Sequence, residues 1–295
     1  MEIQPKSNDD TSYFHKARKL NENEVEMLKI QDKKLISEFK QNKLEQDAKK
    51  NWDLFYKRNG TRFFKDRHWT QREFEELGLV KNNEDPDDPE RPVLLEVGCG
   101  VGNLIFPLIS NGSKYFIYAC DFSFKSCRAC KATFIFIFFR CISPQQENEL
   151  YNEVDVKAFQ NDLVKDSLKN QIHEQSVDIC TLMFVLSAIH PDNMQKALNN
   201  LYEVLKPGGV VLFRDYGLYD QAMIRFKPGS KIYENFYVRQ DGTRAYYFST
   251  EILQKMFVSV GFEVIHNSYV NRITENPKEG ISVPRVFVQS KFKKP

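Results

Sequence analysis

The stretch Val93-Leu94-Leu95-Glu96-Val97-Gly98-Cys99-Gly100-Val101-Gly102 runs an apolar segment straight into a glycine-rich turn. A short apolar run of this kind reads as a buried parallel strand. The glycines let the backbone bend sharply and let a ligand approach where a Cβ would collide. Asn103 to Ile109 then reads as the start of a helix whose N-terminus faces that ligand. Twenty-three positions beyond Gly98 lies Asp121, ending a second apolar run, Tyr115-Phe116-Ile117-Tyr118-Ala119-Cys120. An acidic residue at about that distance suits the hydroxyl pair of a ribose. The pattern predicts a site for an adenosine-containing cofactor.

Glycine spacing separates two cofactor classes. Dinucleotide sites use G-x-G-x-x-G, with the pyrophosphate on the helix N-terminus. Here the spacing is G-x-G-x-G, and Glu96 precedes it. A carboxylate at the strand end repels a pyrophosphate but suits the cationic amino-acid end of S-adenosylmethionine. Asn161-Asp162-Leu163 and Leu205-Lys206-Pro207-Gly208-Gly209 follow in order. That series resembles the class I S-adenosylmethionine-dependent methyltransferases, and methyltransferase is favoured over dehydrogenase.

With 295 residues, 41% of them apolar, the chain can bury a sizeable core. Its longest apolar run, Ala132 to Phe139, is far short of the ~18 residues of a membrane span. Met1 to Lys6 lacks the apolar heart of a signal peptide. Six cysteines without paired spacing fit a reducing compartment, so cytosol is expected, with the nucleus second. Cys127, Cys130 and Cys141 lack a fourth ligand at zinc-finger spacing, and no metal is expected.

The net charge of +2 hides an asymmetry: Lys40 to Arg72 holds ten basic residues against four acidic ones, an excess of +6. Such an excess is the footprint of a polyanion-binding surface, with a solvated helix face as the alternative.

The pattern divides into a disordered tail over 1–20, a helical basic extension over 21–83, an acidic linker over 84–92 and a methyltransferase domain over 93–295. The extension carries one or two amphipathic helices between Glu22 and Arg58. In the domain, strands are expected at 93–97, 115–121, 156–160, 177–184 and 209–214, with helices at 102–110, 191–206 and 249–260. Residues 262–270 and 284–292 read as a closing antiparallel hairpin. The fold class is α/β: a Rossmann-like, mostly parallel seven-stranded sheet with that hairpin, plus the helical extension.

Longer strings narrow the family. They are Asn51-Trp52-Asp53-Leu54-Phe55-Tyr56-Lys57, Phe63-Phe64-Lys65-Asp66-Arg67-His68-Trp69, Tyr118-Ala119-Cys120-Asp121-Phe122-Ser123, Phe184-Val185-Leu186-Ser187-Ala188-Ile189-His190-Pro191 and Asn235-Phe236-Tyr237-Val238-Arg239-Gln240-Asp241-Gly242-Thr243-Arg244. With the glycine turn and Phe213-Arg214-Asp215-Tyr216-Gly217, they resemble the methyltransferases that make 3-methylcytidine in tRNA. The run from Lys43 to Arg58 is most similar to the short, seryl-tRNA-directed branch. The resemblance implies S-adenosylmethionine as cofactor, the anticodon loop of tRNA (nucleotide 32) as substrate and seryl-tRNA synthetase as partner. The chain departs from the family at 124–146, where about fifteen extra residues crowd bulky apolar side chains together. A retained intron or gene-model error is the expected source of such a segment, with a genuine insertion as the alternative.

Methylation of cytidine N3 needs little acid–base help, because an in-plane lone pair is already available. Alignment does the work, and the base must be unpaired to expose its Watson–Crick edge. The expected cofactor residues are Gly98 and Gly100 at the methionine end, Asp121 at the ribose, and Asp162, Leu163 and Met183 around the adenine. The resemblance adds Trp52 and Tyr56, which share one helical face. Asp215 is the candidate carboxylate for the developing positive charge, with a strand-end cap or an Arg214 ion pair as alternatives. Lys57, Arg58, Lys65, Arg67 and His68 are candidate phosphate contacts, and Tyr216, Phe226, Tyr237 and Arg239 candidate base-pocket residues. A methyltransferase of proteins or small molecules and a catalytically silent tRNA-binding protein remain open as alternatives.

Overall fold

A computed structural model describes residues 12–59, 65–78, 91–123, 125–126, 155–276 and 281–295. Its strands are β1 (Ser12–Phe14), β2 (Val93–Val97), β3 (Phe116–Asp121), β4 (Val156–Gln160), β5 (Val177–Met183), β6 (Leu205–Tyr216), β7 (Lys231–Tyr233), β8 (Phe236–Val238), β9 (Arg244–Tyr246), β10 (Glu263–Asn276) and β11 (Ile281–Lys293). The helices are α1 (Glu22–Asp32), α2 (Glu38–Gln46), α3 (Ala48–Asn59), α4 (Thr70–Glu73), α5 (Ile105–Ser110), α6 (Pro191–Val204), α7 (Gln221–Ile224) and α8 (Thr250–Val260).

β2 pairs in parallel with β3 on one side and β5 on the other, so Leu94 to Val97 are buried on both faces. Alternate side chains feed separate cores: Leu95 and Val97 face one cluster, Leu94 the other. The sheet order is β1-β10-β11-β6-β5-β2-β3-β4. The chain walks outward from β2 to β4, then crosses back to β5. This reversal opens a crevice beyond the C-terminal ends of β2 and β5, where open α/β sheets bind ligands.

Local sequence explains the helices that cover the sheet. In α6, Pro191 supplies a preset φ at the first turn, and the His190 ring accepts from the Asp192 N–H at 3.4 Å. Met194, Ala197, Leu198, Leu201 and Val204 recur at helical spacing and are buried. α8 is capped by Ser249, whose Oγ accepts from the Ile252 N–H at 3.2 Å, and it ends at Gly261 with φ 110°. Its Phe257 stacks on Phe292 of β11 with centroids 3.7 Å apart.

Several expectations change. The main sheet has eight strands because Ser12–Phe14, inside the stretch read as a disordered tail, pairs antiparallel with β10. That pairing occupies the backbone groups of what would otherwise be an open edge. The stretch from Glu22 to Arg58 holds three helices, and α5 starts at Ile105 because turns occupy residues 101–104. β7, β8 and β9 form a second antiparallel sheet outside the expected strands. The extension shares the domain's core: Phe74 and Leu77 are buried with Leu94, Leu104 and Tyr115. Of the acidic linker only 91–92, and of the insertion only 125–126, lie within the described residues; Cys127, Cys130 and Cys141 lie outside them.

Candidate active site

The glycine turn sits at the switch point. Gly98 has φ 63°, and a Cβ there would come within 2.3 Å of Val185 Cγ2, just beyond β5. Only glycine fits this left-handed, crowded position. Gly100 has φ 55°, and its missing Cβ leaves room for the Tyr56 hydroxyl. Asp121, at the end of β3, accepts from the Gly100 N–H at 3.0 Å and the Ser123 N–H at 2.8 Å. Burial raises its pKa, and these hydrogen bonds oppose the rise. The Ser126 side chain also hydrogen-bonds this carboxylate, which lines the cleft beside Gly98.

Two buried oxygens carry the test of whether a cofactor fits. Glu96 is 1% exposed, and its Oε2 has no hydrogen-bond partner. Burial pushes its pKa up to about 8, against the pull of Arg67. An unpartnered carboxyl oxygen on β2, one residue before the wall-lining Val97, fits a cationic amino group. Asn161 Oδ1 is likewise buried and unpartnered, in the wall shared with Asp162 and Leu163. It suits an adenine amino group, which donates. Asp162 Oδ1 already accepts from the Val164 N–H at 3.0 Å, and Lys165 lies 3.7 Å from Oδ2. Asn161 was missed although it is the first letter of the Asn-Asp-Leu string.

The cleft has two connected compartments. The first is lined by Trp52, Tyr56, Gly98, Asp121, Asp162 and Leu163. The second lies against Gly98, Gly100 and Met183 and is walled by Phe184, Ser187, Tyr216 and Arg239. Trp52, Tyr56, Gly98 and Phe184 border both. Burial, with Asp121 and Cys99 nearby, drives the Tyr56 pKa well above the ordinary phenol value.

α2 and α3 roof the first compartment through contacts distant in sequence. Glu45 pairs with the buried Arg244, Asn51 Nδ2 donates to the Gly242 carbonyl at 3.0 Å, and Ser123 Oγ donates to Asp53 at 2.6 Å. Phe184 was not singled out as a site residue. Its φ of 61° is strained for a bulky side chain, a feature no sequence pattern reveals.

On the substrate side two assignments are corrected. Asp215 is fully buried, lines neither compartment, and accepts from the Ser187 and Tyr216 N–H groups, each at 2.9 Å. Burial raises its pKa to about 6, against those hydrogen bonds. It therefore stands behind the wall of the cleft instead of facing a reacting base. Its ion pair with Arg214 does not form either, because neighbouring strand residues point to opposite faces. Arg214 pairs instead with Glu73 and lies 4.4 Å from the Trp69 ring centroid. Tyr237 is 0% exposed and stacked on Phe226 at 4.7 Å in a small core with Tyr247. It is packing, not pocket.

Arg239 lies over the Tyr216 ring at 5.3 Å, its Nη1 donating to the Arg244 carbonyl at 2.9 Å. Arg67 turns into the cleft, 5.6 Å from the Phe184 centroid, while Lys57, Arg58, Lys65 and His68 are exposed. Arg239 also borders an open groove of about 1040 Å³, with Lys40, Arg58, Arg225, Lys227 and Arg285. Phe226 lines it too, and Asp241 is the one acidic residue among the described residues on its walls.

A family model described as a methyltransferase domain matches residues 67–267. The human tRNA N(3)-cytidine methyltransferase METTL6 is 54% identical over 279 residues, covering 95% of this chain and 91% of the human one. The chain belongs to the tRNA N(3)-cytidine methyltransferases. METTL2 of Xenopus tropicalis, another member, is 35% identical over 98% of this chain and 87% of its own. Among solved structures, a SAM-dependent methyltransferase from Anabaena variabilis superposes with TM-score 0.54 at 11% identity, covering 84% of this chain and 95% of that one. At that identity it speaks for the fold alone, the class I methyltransferase fold. The central strands of this family member run β4-β3-β2-β5-β6 in parallel, followed by antiparallel β11 and β10, as that fold requires.

Proposed function

We propose that this chain transfers the methyl group of S-adenosylmethionine to N3 of cytidine in the anticodon loop of tRNA, at nucleotide 32 of seryl tRNA. It works with seryl-tRNA synthetase in the cytosol, with the nucleus as a second compartment. The observation that carries the reading is the continuity of the cleft. A glycine cradle with an unpartnered carboxyl oxygen nearby opens onto an aromatic compartment, and Arg239 joins that compartment to a basic groove.

Each part has a physical task. Glu96 and the Gly98 turn receive the cationic amino-acid end, Asp121 the ribose, and Asn161, Asp162 and Leu163 the adenine. S-adenosylmethionine supplies an electrophilic methyl group on a sulfonium. The chain's own residues then act by alignment. Phe184 and Tyr216, with centroids 5.3 Å apart, wall the space where an unstacked pyrimidine would be held. Lone pair and methyl carbon must lie at near-attack distance, which a rigid wall provides and water does not. No base is required, since N3 carries no proton to remove. Lys40, Arg58, Arg225 and Lys227 offer charge to the phosphates flanking an extruded nucleotide.

Nucleoside analysis of total tRNA, after incubation with the purified chain, S-adenosylmethionine and seryl-tRNA synthetase, tests the reading. New 3-methylcytidine in the seryl fraction is the expected result. Cofactor binding without any tRNA methylation would remove it, and label transferred to lysate protein instead would favour a protein substrate.

A further inference from the structure

The walls of the second compartment are rich in donors and poor in acceptors. Arg67, Arg239 and Arg244 all border it, and a guanidinium can only donate. Cytosine presents an acceptor at O2, the reacting lone pair at N3 and an amino donor at N4. Uracil has an acceptor at O4 instead. A site for cytosine therefore needs one fixed acceptor opposite N4.

The side-chain oxygens on these walls belong to Tyr56, Asn103, Ser187 and Tyr216. The Tyr56 hydroxyl lies over Gly100, at the cofactor end. Asn103 is on the same side, its Nδ2 donating to Asp66 at 3.1 Å. The Tyr216 ring forms a wall beneath the Arg239 guanidinium. Ser187 remains, lining the same compartment as Phe184 and Tyr216.

Ser187 is tethered from behind. Its N–H donates to Asp215 Oδ2 at 2.9 Å, and its hydroxyl is near enough to the same carboxylate to help hold that carboxyl's pKa down against burial. Asp215 has a pKa of about 6 and is ionised at neutral pH, so it can only accept. A carboxylate beside the hydroxyl draws the serine proton toward itself. What Ser187 offers the compartment is lone pairs. We propose that the Ser187 hydroxyl, held as an acceptor by Asp215, reads the exocyclic N4 amino group of the target base and so distinguishes cytidine from uridine. Ser187 is the specificity-determining residue and Asp215 its positioning residue. Uracil would set its O4 lone pairs against those of Ser187.

This rests on the cytidine methyltransferase reading above, and the test separates the two. Full-length seryl tRNA is prepared with either cytidine or 2-pyrimidinone riboside at the target position. The latter keeps the N3 lone pair but replaces the amino group with hydrogen. Single-turnover methyl transfer is measured for the wild type, Ser187→Ala and the isosteric Asp215→Asn, each first shown to bind S-adenosylmethionine. The intrinsic effect of the amino group on N3 cancels in the comparison between enzymes.

The wild type should prefer cytidine by about ten- to a hundredfold more than Ser187→Ala does, the range of a lost hydrogen bond to a fixed acceptor. Asp215→Asn should also lose the preference, because a neutral amide no longer draws the serine proton as the carboxylate does. Equal preference in wild type and Ser187→Ala overturns the assignment. If the variants are too slow to follow, the same cycle is read in tRNA binding, with the same two outcomes. A wild type that leaves the cytidine unmethylated refutes the activity reading itself, and Ser187 with it.

Discussion

Replacing Glu96 with Gln separates charge from shape in the cofactor cradle. Burial holds the Glu96 pKa at about 8 in the free protein. At pH 7 the carboxyl is then about 90% protonated. An arriving cationic amino group favours the carboxylate, so Glu96 should contribute a release of about 0.9 proton at pH 7 and about 0.1 at pH 9, set against any proton the ligand's own amine takes up. The same linkage makes affinity rise about tenfold per pH unit up to about pH 8. A charge-assisted hydrogen bond contributes about 1.5–3 kcal/mol. Removing the proton first costs about 1.4 kcal/mol at pH 7. The Glu96→Gln variant should therefore bind up to about tenfold more weakly at pH 7, and weaker still, relative to wild type, at pH 8. Titration calorimetry in buffers of different ionisation enthalpy counts the protons directly. Equal proton release by wild type and variant would refute Glu96 as the partner of the amino group.

The same carboxyl shapes stability: its folded pKa is raised, so its contribution is full below pH 4.5 and is lost as pH rises to about 8. The loss amounts to about 5 kcal/mol, and chemical denaturation should show Glu96→Gln with a flatter pH profile than wild type. Gly98→Ala combines a φ of 63° with a Cβ 2.3 Å from Val185 Cγ2, and should abolish measurable cofactor binding. Adding Val185→Ala relieves the collision but not the φ, so calorimetry should find only partial recovery. Glu73→Ala leaves Arg214, whose side chain is 4% exposed, without its buried partner. The cost should be about 3–5 kcal/mol, visible as a melting point lower by about 10 °C. In the groove, Arg225→Ala and Lys227→Ala should each lower the salt slope of tRNA binding by about 0.7–0.9, and an unchanged slope would place the phosphates elsewhere.

The parts of this protein legible in its sequence are those decided by near neighbours. β2 declares itself by its apolar run, α6 by Pro191 and a helical stripe, and α8 by Ser249 and Gly261. The glycine turn and Asp121 follow adjacent strands joined by one crossover, so their spacing alone predicts that they meet, as the Gly100 N–H and the Asp121 carboxylate do. Tertiary structure decided the rest. β7, β8 and β9 have three residues each, too few for a period to show. Tyr216 and Tyr237 look alike as letters, yet one walls the cleft and the other is sealed in a core. Asp215 looked like a catalytic carboxylate, but the fold placed Ser187 between it and the compartment. The groove gathers Lys40, Arg58, Arg225, Lys227 and Arg285 from segments far apart along the chain. Composition shows only the first two as a cluster. Local order reaches a few residues along a backbone, whereas a charge field or a donor–acceptor pattern forms only where separate elements converge.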